Sequence, residues 1–290
     1  MLSFQKGHGL GNDYLVLDAA DLPCELTPSR ARYLCDRHRG IGSDGVLLAD
    51  LSNGIALRII NPDGTEAEKS GNGLRIFGAY LHGRGIVGTD WFDVRLVKDT
   101  VQMRVEEVLE HGVLMIRVEM GRASFDAAAA GFTGASGEAL AFNAPLRDGK
   151  SAEINVVSLS NPHCVAFMDI LERADFLERA PQLCTHAMFP AGTNVQFAHV
   201  LDDRTIEAWI WERGAGETMA SGSSASAVCA AAVRRGFLKP GVFEVKMPGG
   251  IAEVEVSEDF QVKLRGPAQM ILAGTLSDGA LREFTGLAGR

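Results

Sequence analysis

Apolar and polar residues alternate over several stretches of the chain. Val101, Met103 and Val105 interleave with Gln102, Arg104 and Glu106, and Val254 and Val256 interleave with Glu253 and Glu255. Phe260, Val262 and Leu264 alternate with Gln261, Lys263 and Arg265. A period of two over such runs predicts half-buried antiparallel strands. Helical signals are fewer. Thr27-Pro28 opens a stretch that Gly40 closes, with proline at the first helical position and glycine beyond the end. Two apolar stretches, residues 74–81 and 225–233, each follow a Ser-Gly pair and end near an Arg-Gly. The expected fold class is α+β, with strands wrapped around a few helices.

The last two helical stretches resemble one another. EKSGNGLRIFGAYLHGRG (68–85) and MASGSSASAVCAAAVRRG (219–236) align without a gap at an offset of 151, and Glu66 meets Glu217 in the same register. Upstream, NDYLVLD (12–18) resembles NPHCVAFMD (161–169), with Asp18 and Asp169 again 151 apart. Matches in one register across half the chain suggest an internal duplication. Two similar halves can present two similar loops to one ligand. Each loop is a Ser-Gly pair at a helix start, where N–H groups without helical acceptors and the helix dipole favour an anion. The blander reading makes Ser70 and Ser221 ordinary N-caps.

Composition narrows the function classes. The 290 residues are 46% hydrophobic and 22% charged, enough for a real core in each of two halves. Lys and Arg number 28 against 37 Asp and Glu, a formal charge of −9, which lacks the footprint of a nucleic-acid binder or a polybasic membrane-surface protein. The five cysteines (24, 35, 164, 184, 229) are scattered without a CxxC pair. That spacing argues against a disulfide framework or zinc ribbon and for a reducing compartment. The N-terminus reaches charge and glycine within seven residues, unlike a signal peptide, and no apolar run approaches a membrane span. A soluble, cytoplasmic protein is expected.

Most familiar motifs fail on inspection. GHGLGN (7–12) and GRGIVG (83–88) superficially resemble a dinucleotide fingerprint, but neither opens a strand–turn–helix unit with an acidic residue about 20 positions on. GxSxG and GxxxxGK[ST] do not occur, and the seven histidines show no HxH or HxxxH spacing, so no metal is expected. Glu212-Arg213-Gly214 alone reads as a surface charge pair at a strand end.

Together, however, the segments resemble the diaminopimelate epimerases, cofactor-independent enzymes that invert one stereocentre of diaminopimelate. The resemblance rests on KGHGLGNDYLVLD (6–18), DRHRGIGSDGVLL (36–48), NPDGTEAEKSGNGLR (61–75) and VSLSNPHCV (157–165). It continues through FPAGTNVQF (189–197), WERGAGETMASGSSASA (211–227), MPGG (247–250) and GPA (266–268). It implies two pseudo-symmetric halves, each a curved antiparallel sheet or barrel around a central helix, with a ligand cleft between. The halves would be residues 1–125 with 268–290, and residues 126–267. The resemblance further implies a small amino-acid substrate of lysine and peptidoglycan-precursor synthesis, no cofactor, and a homodimer as a possible assembly.

In that family two cysteines carry the chemistry, one removing the α-proton and the other returning a proton from the opposite face. Each precedes the glycine that starts a central helix, and here those positions are Ser70 and Ser221. By the same resemblance Gly71, Asn72, Gly222 and Ser223 offer backbone N–H groups to the α-carboxylate. Asn12, Asn61, Asn161, Asn194, Glu212 and Arg213 match contacts to the substrate, chiefly its distal amino and carboxylate groups, and an Arg fork with several amides suits such a zwitterionic end. His163 and Glu212 correspond to residues beside the catalytic thiols. Ser160 and Gly192 depart from the expected Gly and Arg, and GSSAS (222–226) departs from the usual G-[ST]-G-A-C.

Serine changes the chemistry. A thiol at a helix start can be lowered into a useful base, whereas a hydroxyl works only when a neighbour takes its proton. Three readings follow: an epimerase with introduced serines, a diverged isomerase using His163 or Glu212 with serine relays, and a binding protein for diaminopimelate-like ligands without turnover. Drift in GSSAS beyond the two replacements favours natural divergence.

Overall fold

Residues 1–287 are described by a computed structural model; the last three positions of the expected C-terminal return, 288–290, lie outside the described residues. The chain forms two compact units, one of Met1–Val118 with the chain from Gly266 onward, the other of Glu119–Arg265.

The first unit runs β1 (Ser3–Gly9), β2 (Asn12–Asp18), α1 (Pro28–Cys35), β3 (Val46–Asp50), β4 (Ala56–Ile60), β5 (Glu66–Ala67), α2 (Gly71–Gly83), β6 (Phe92–Arg95), β7 (Thr100–Val108) and β8 (Val113–Arg122). The second runs β9 (Phe142–Pro145), β10 (Ser151–Ser158), β11 (Pro162–Phe167), α3 (Arg173–Cys184), β12 (Asn194–Val200), β13 (Thr205–Glu212), β14 (Gly216–Thr218), α4 (Gly222–Arg234), β15 (Gly241–Met247), β16 (Gly250–Val256) and β17 (Gln261–Thr275). The chain ends in α5 (Asp278–Gly286).

Pairing repeats between the units. In the first, strands lie side by side as β1-β2-β3-β4-β6-β7-β8, with β5 added to β4 and residues 269–275 of β17 paired to β1. In the second the order is β9-β10-β11-β12-β13-β15-β16-β17, with β14 added to β13. Most pairs are antiparallel. The parallel ones, β2–β3, β4–β6, β11–β12 and β13–β15, are those whose connection contains a helix, because a parallel neighbour needs a long crossover.

The registers show how far the duplication holds. Ile59↔Ala67 corresponds to Ile210↔Thr218, and Phe92↔Met103 to Phe243↔Val254, all at the offset of 151 that relates α2 to α4. The upstream strands follow an offset of 149: Leu15↔Val46 corresponds to Cys164↔Val195. The β12–β13 hairpin is two residues longer than β3–β4, which accounts for the change. Asn12 therefore corresponds to Asn161 and Tyr14 to His163, while Asp169 lies past the end of β11 and is not the equivalent of Asp18.

Both central helices are buried on every side, α2 from Gly71 to Leu81 and α4 from Gly222 to Val233. A helix apolar or small all round is stable only inside a core. Helix α2 packs on β1, β2 and β7; α4 packs on β10 to β13, β15 and β16. A separate core in the first unit joins Leu15, Leu17, Leu34 and Phe284 of α5. In the second unit Phe176 of α3 meets Phe197 and Trp209 edge-on at 5.5 and 5.8 Å.

Two local expectations need correction. The helix opened by Thr27-Pro28 ends at Cys35, and the chain to Gly40 is a loop. Phe260 is outside β17, held left-handed (φ 63°) in a turn where its N–H donates to the Ser257 carbonyl, so the alternation starts one residue late. Among the described residues no helix is long and apolar enough to cross a membrane.

Candidate functional site

In the first unit the β1–β2 hairpin turns on Leu10 and Gly11, both left-handed (φ 55° and 85°), with Gly9 paired to Asn12. Two positive-φ central residues match the right-handed twist of the strands they join. GHGLGN is thus a hairpin that delivers Asn12 to the first position of β2. Asn12 Nδ2 donates to Asp44 Oδ2 (2.8 Å), and its Oδ1 accepts from Asn72 Nδ2 (3.0 Å). Arg37 bridges Asp13 and Asp44, each at 2.6 Å, and Lys6 lies 2.7 Å from Asp13. Burial pushes Asp13 up, but hydrogen bonds from Arg37 and Lys6 outweigh it and hold the carboxyl below its usual range. Burial and the neighbouring Asp13 charge push Asp44 up.

Ser70 is the N-cap of α2, extended at φ −138°, ψ 117°, its Oγ accepting from Gly73 N–H at 3.1 Å. Gly71 and Asn72 form the first turn, whose N–H groups have no acceptor within the helix. Tyr14 Oη lies 3.4 Å from Ser70 Oγ. Behind this turn Arg75 is fully buried. Its Nη2 donates to Asn72 Oδ1 (2.7 Å) and its Nε to the Pro267 carbonyl (3.4 Å), while Nη1 has no hydrogen-bond partner. Burial pulls its guanidinium down to about 10. The side chain fits because Gly9 and Gly266 carry none: a Cβ on either would stand 3.2 Å from the guanidinium. Asn61, just past β4, donates from Nδ2 to Thr65 Oγ1 (3.0 Å) across the β4–β5 turn.

The second unit repeats the helix start. Ser221 caps α4 at φ −144°, ψ 123°, accepting from Ser224 N–H at 3.5 Å, and Gly222 and Ser223 form the first turn. A polar chain leads away from it. Ser221 Oγ is 3.5 Å from Ser223 Oγ, which accepts from Asn161 Nδ2 (3.4 Å), and Asn161 Oδ1 is 3.0 Å from His163 Nε2. Gln196 Nε2 donates to His163 Nδ1 (3.1 Å) and to Ser224 Oγ (2.9 Å). With Nδ1 accepting, the ring proton sits on Nε2 and points at Asn161. Asn194 Nδ2 donates to the Pro162 carbonyl (3.1 Å), and its Oδ1 accepts from Arg213 N–H (2.9 Å). Glu212 ends β13 beside Arg213.

His163 corrects one expectation. Burial, with the Arg213 charge second, drops it to about 3, so the ring is neutral across the physiological range. Both nitrogens are engaged, and neither touches Ser221. The ring braces Asn161 and is not a base in contact with the serine. Its value lies below the ordinary 6.5, so the unfolded chain takes the proton first as pH falls. The stability tied to neutral His163 is whole above about 6.5 and drains as pH drops toward about 3. His163→Gln should flatten this acid limb of the denaturant midpoint by one proton's slope; an unchanged limb would refute the assignment.

The five cysteines (24, 35, 164, 184, 229) lie at neither of the two N-cap positions, 70 and 221. All five are free, and burial pushes Cys35, Cys164, Cys184 and Cys229 up. Ser160, where the family resemblance expects glycine, is left-handed at φ 71°. Tyr14 and Gln196 escaped the reading of the sequence, although both sit two positions after a site asparagine on a strand, the spacing that returns to the same face.

Comparison with known proteins follows the same lines. The family model described as diaminopimelate epimerase matches residues 4–125 and 155–271. The chain is 40% identical to diaminopimelate epimerase 2 of Nostoc sp. over 279 residues, covering 95% of this chain and 96% of that one. It is 38% identical to the diaminopimelate epimerase of Pelotomaculum thermopropionicum, covering 94% and 98%. In fold it resembles a probable proline racemase from Agrobacterium radiobacter with bound carbonate (TM-score 0.72, 15% identity, covering 96% and 93%). It likewise resembles a hydroxyproline epimerase from Agrobacterium vitis with bound trans-4-hydroxy-L-proline (TM-score 0.72, 14% identity, covering 95% and 92%).

Proposed function

Because this chain belongs to the diaminopimelate epimerase family, we propose that it binds diaminopimelate or a similar amino acid and inverts its α-carbon without a cofactor. That reaction would place it in lysine and peptidoglycan-precursor synthesis, in the cytoplasm, as a homodimer. The observation that carries the reading is the repeated helix start, serine N-cap and small first turn, in both units. Removing an α-proton leaves an enolate whose negative charge gathers on the carboxylate. First-turn N–H groups and the helix dipole stabilise that charge as it forms. Arg75 adds a buried positive charge behind the α2 turn. The Asn12–Asn72 and Asn161–Ser223 pairs fix the amides around each start. On this reading Ser70 and Ser221 handle the α-proton on opposite faces, Asn12, Asn61, Asn161, Asn194, Glu212 and Arg213 hold the distal end, and His163 acts through Asn161.

A second reading, binding without turnover, is favoured by one observation. Neither serine hydrogen-bonds a histidine or carboxylate among the described residues, so neither has a strong base at hand. One experiment separates the two. LL-diaminopimelate is incubated with the protein in D2O while binding is followed by calorimetry. Slow loss of the α-proton signal is the expected result. Binding without exchange establishes the second reading, and neither binding nor exchange excludes this ligand class.

A further inference from the structure

We propose that Tyr14 is the proton partner of Ser70, taking up and returning the hydroxyl proton that serine must exchange during catalysis. The inference rests on reading the chain as an isomerase. Among the described residues Ser70 Oγ has two hydrogen-bond neighbours, the Gly73 N–H at 3.1 Å and Tyr14 Oη at 3.4 Å. An amide N–H on a helix start does not accept a proton, so the phenol is the titratable group in reach. Its distance is long for an O–H···O bond, as catalytic bonds often are before a ligand tightens the site.

Tyr14 is held where it is. It is buried on β2 with Leu15 N–H bonded to the Gly45 carbonyl (3.0 Å). Its ring presses on Gly45, where a Cβ would meet Tyr14 Cε1 at 2.6 Å, and the left-handed-side φ of 158° suits glycine alone. Gly45 closes the GSDG segment that also supplies Asp44 to Asn12. One loop therefore fixes both the ligand-side amide and the phenol. The equivalent position in the second unit is His163, whose ring turns to Asn161 and Gln196 and does not touch Ser221. The relay belongs to the Ser70 side only.

The proton balance closes without another reactant. With Ser70 as base, the ligand Cα–H bond breaks and its electron pair stays on the ligand as the enolate. The released proton bonds to Ser70 Oγ, and the proton that Oγ already carried passes to the Tyr14 phenolate. With Ser70 as acid, Tyr14 O–H gives its proton to Oγ as Oγ delivers one to carbon. A phenol, with a reference value near 10, parts with its proton far more readily than an alcohol. Tyr14 acts through Ser70 and is a positioning residue for the hydroxyl proton.

Tyr14→Phe removes the oxygen and keeps the ring against Gly45. With LL-diaminopimelate in D2O, kcat for α-proton exchange should fall about 10²- to 10⁴-fold, the usual contribution of a general acid–base group, with KM within about twofold. In a Ser70→Cys background the thiol ionises by itself, and the same substitution should cost less than about threefold. Equal losses in both backgrounds would show a packing role and overturn the relay, as would no loss in the serine protein. A wild-type chain that binds diaminopimelate but exchanges nothing overturns the isomerase reading together with the relay. Exchange unaffected by Tyr14→Phe overturns the relay alone.

Discussion

Ser70→Cys combined with Ser221→Cys should raise α-proton exchange of LL-diaminopimelate by roughly a thousandfold or more if both positions handle the α-proton as proposed, since a general-base role alone contributes about 10²–10⁴. A thiol has a reference value near 8.5 and is lowered further at a helix start, so a usable fraction is thiolate at neutral pH. Gly73 keeps the α2 start uncrowded, since a Cβ there would stand 3.3 Å from Ser70 Oγ. The gain carries a stability cost. Ser70 accepts from Gly73 N–H and Ser221 from Ser224 N–H, and a sulfur is a poor acceptor in both places. Loss of a serine N-cap costs about 1 kcal/mol. The double variant should therefore be faster and less stable, by about 2 kcal/mol if the two caps add. Proton NMR in D2O gives the rate and a denaturant titration gives the stability. A double variant that binds ligand yet stays inert would mean the pocket has diverged beyond its two nucleophile positions.

Gly40→Ala should destabilise the first unit by roughly 2–4 kcal/mol, through displaced backbone hydrogen bonds worth about 0.5–1.5 kcal/mol each and the clash that displaces them. A Cβ there would stand 1.9 Å from the Tyr33 carbonyl, 2.9 Å from that of Leu34 and 3.0 Å from that of Asp36. All three are main chain at the end of α1 and cannot rotate away. The loop is tied by Gly40 N–H to Asp36 O (2.9 Å) and by Ile41 and Gly42 N–H to Leu34 O (both 3.0 Å). Moving it displaces Arg37 and its partner Asp44, whose carboxylate holds Asn12, so ligand affinity should fall with stability. The denaturant midpoint and a binding isotherm check this. A stability change below about 0.5 kcal/mol would show that the loop relaxes freely.

Much of the fold was legible because local pattern and tertiary demand agree. The alternation around Val101–Val105 and Val254–Val256 marks strands with one buried side, and the two Ser-Gly pairs mark the starts of the two buried helices. Helix α3 was not legible: RADFLERAPQLC contains Pro181, and it is a helix because Phe176, Ala180 and Leu183 bury against β12 and β13. At the site, motifs exposed the asparagines and serines but not the partners that orient them. Nothing in the sequence marks Arg75 for burial, yet it is fully buried between two glycines far apart in the chain. Tyr14 and His163 become equivalents only once strand pairing shows that the offset is 149 in the upstream strands.

The way the first unit is closed also dictates an order of assembly. Residues 119–265 are contiguous, so every strand partner within that unit is present once the segment has been made. The first unit must wait. Strand β1 takes Gln269–Thr275 of β17 as its neighbour, and Arg30 of α1 donates to the carbonyls of Phe284 and Thr285 in α5. At about 5–20 residues per second, synthesis leaves the β1 edge and the α1 core open for on the order of tens of seconds. An N-terminal segment made first is therefore finished last, and during that interval its unpaired edge is open to misassociation.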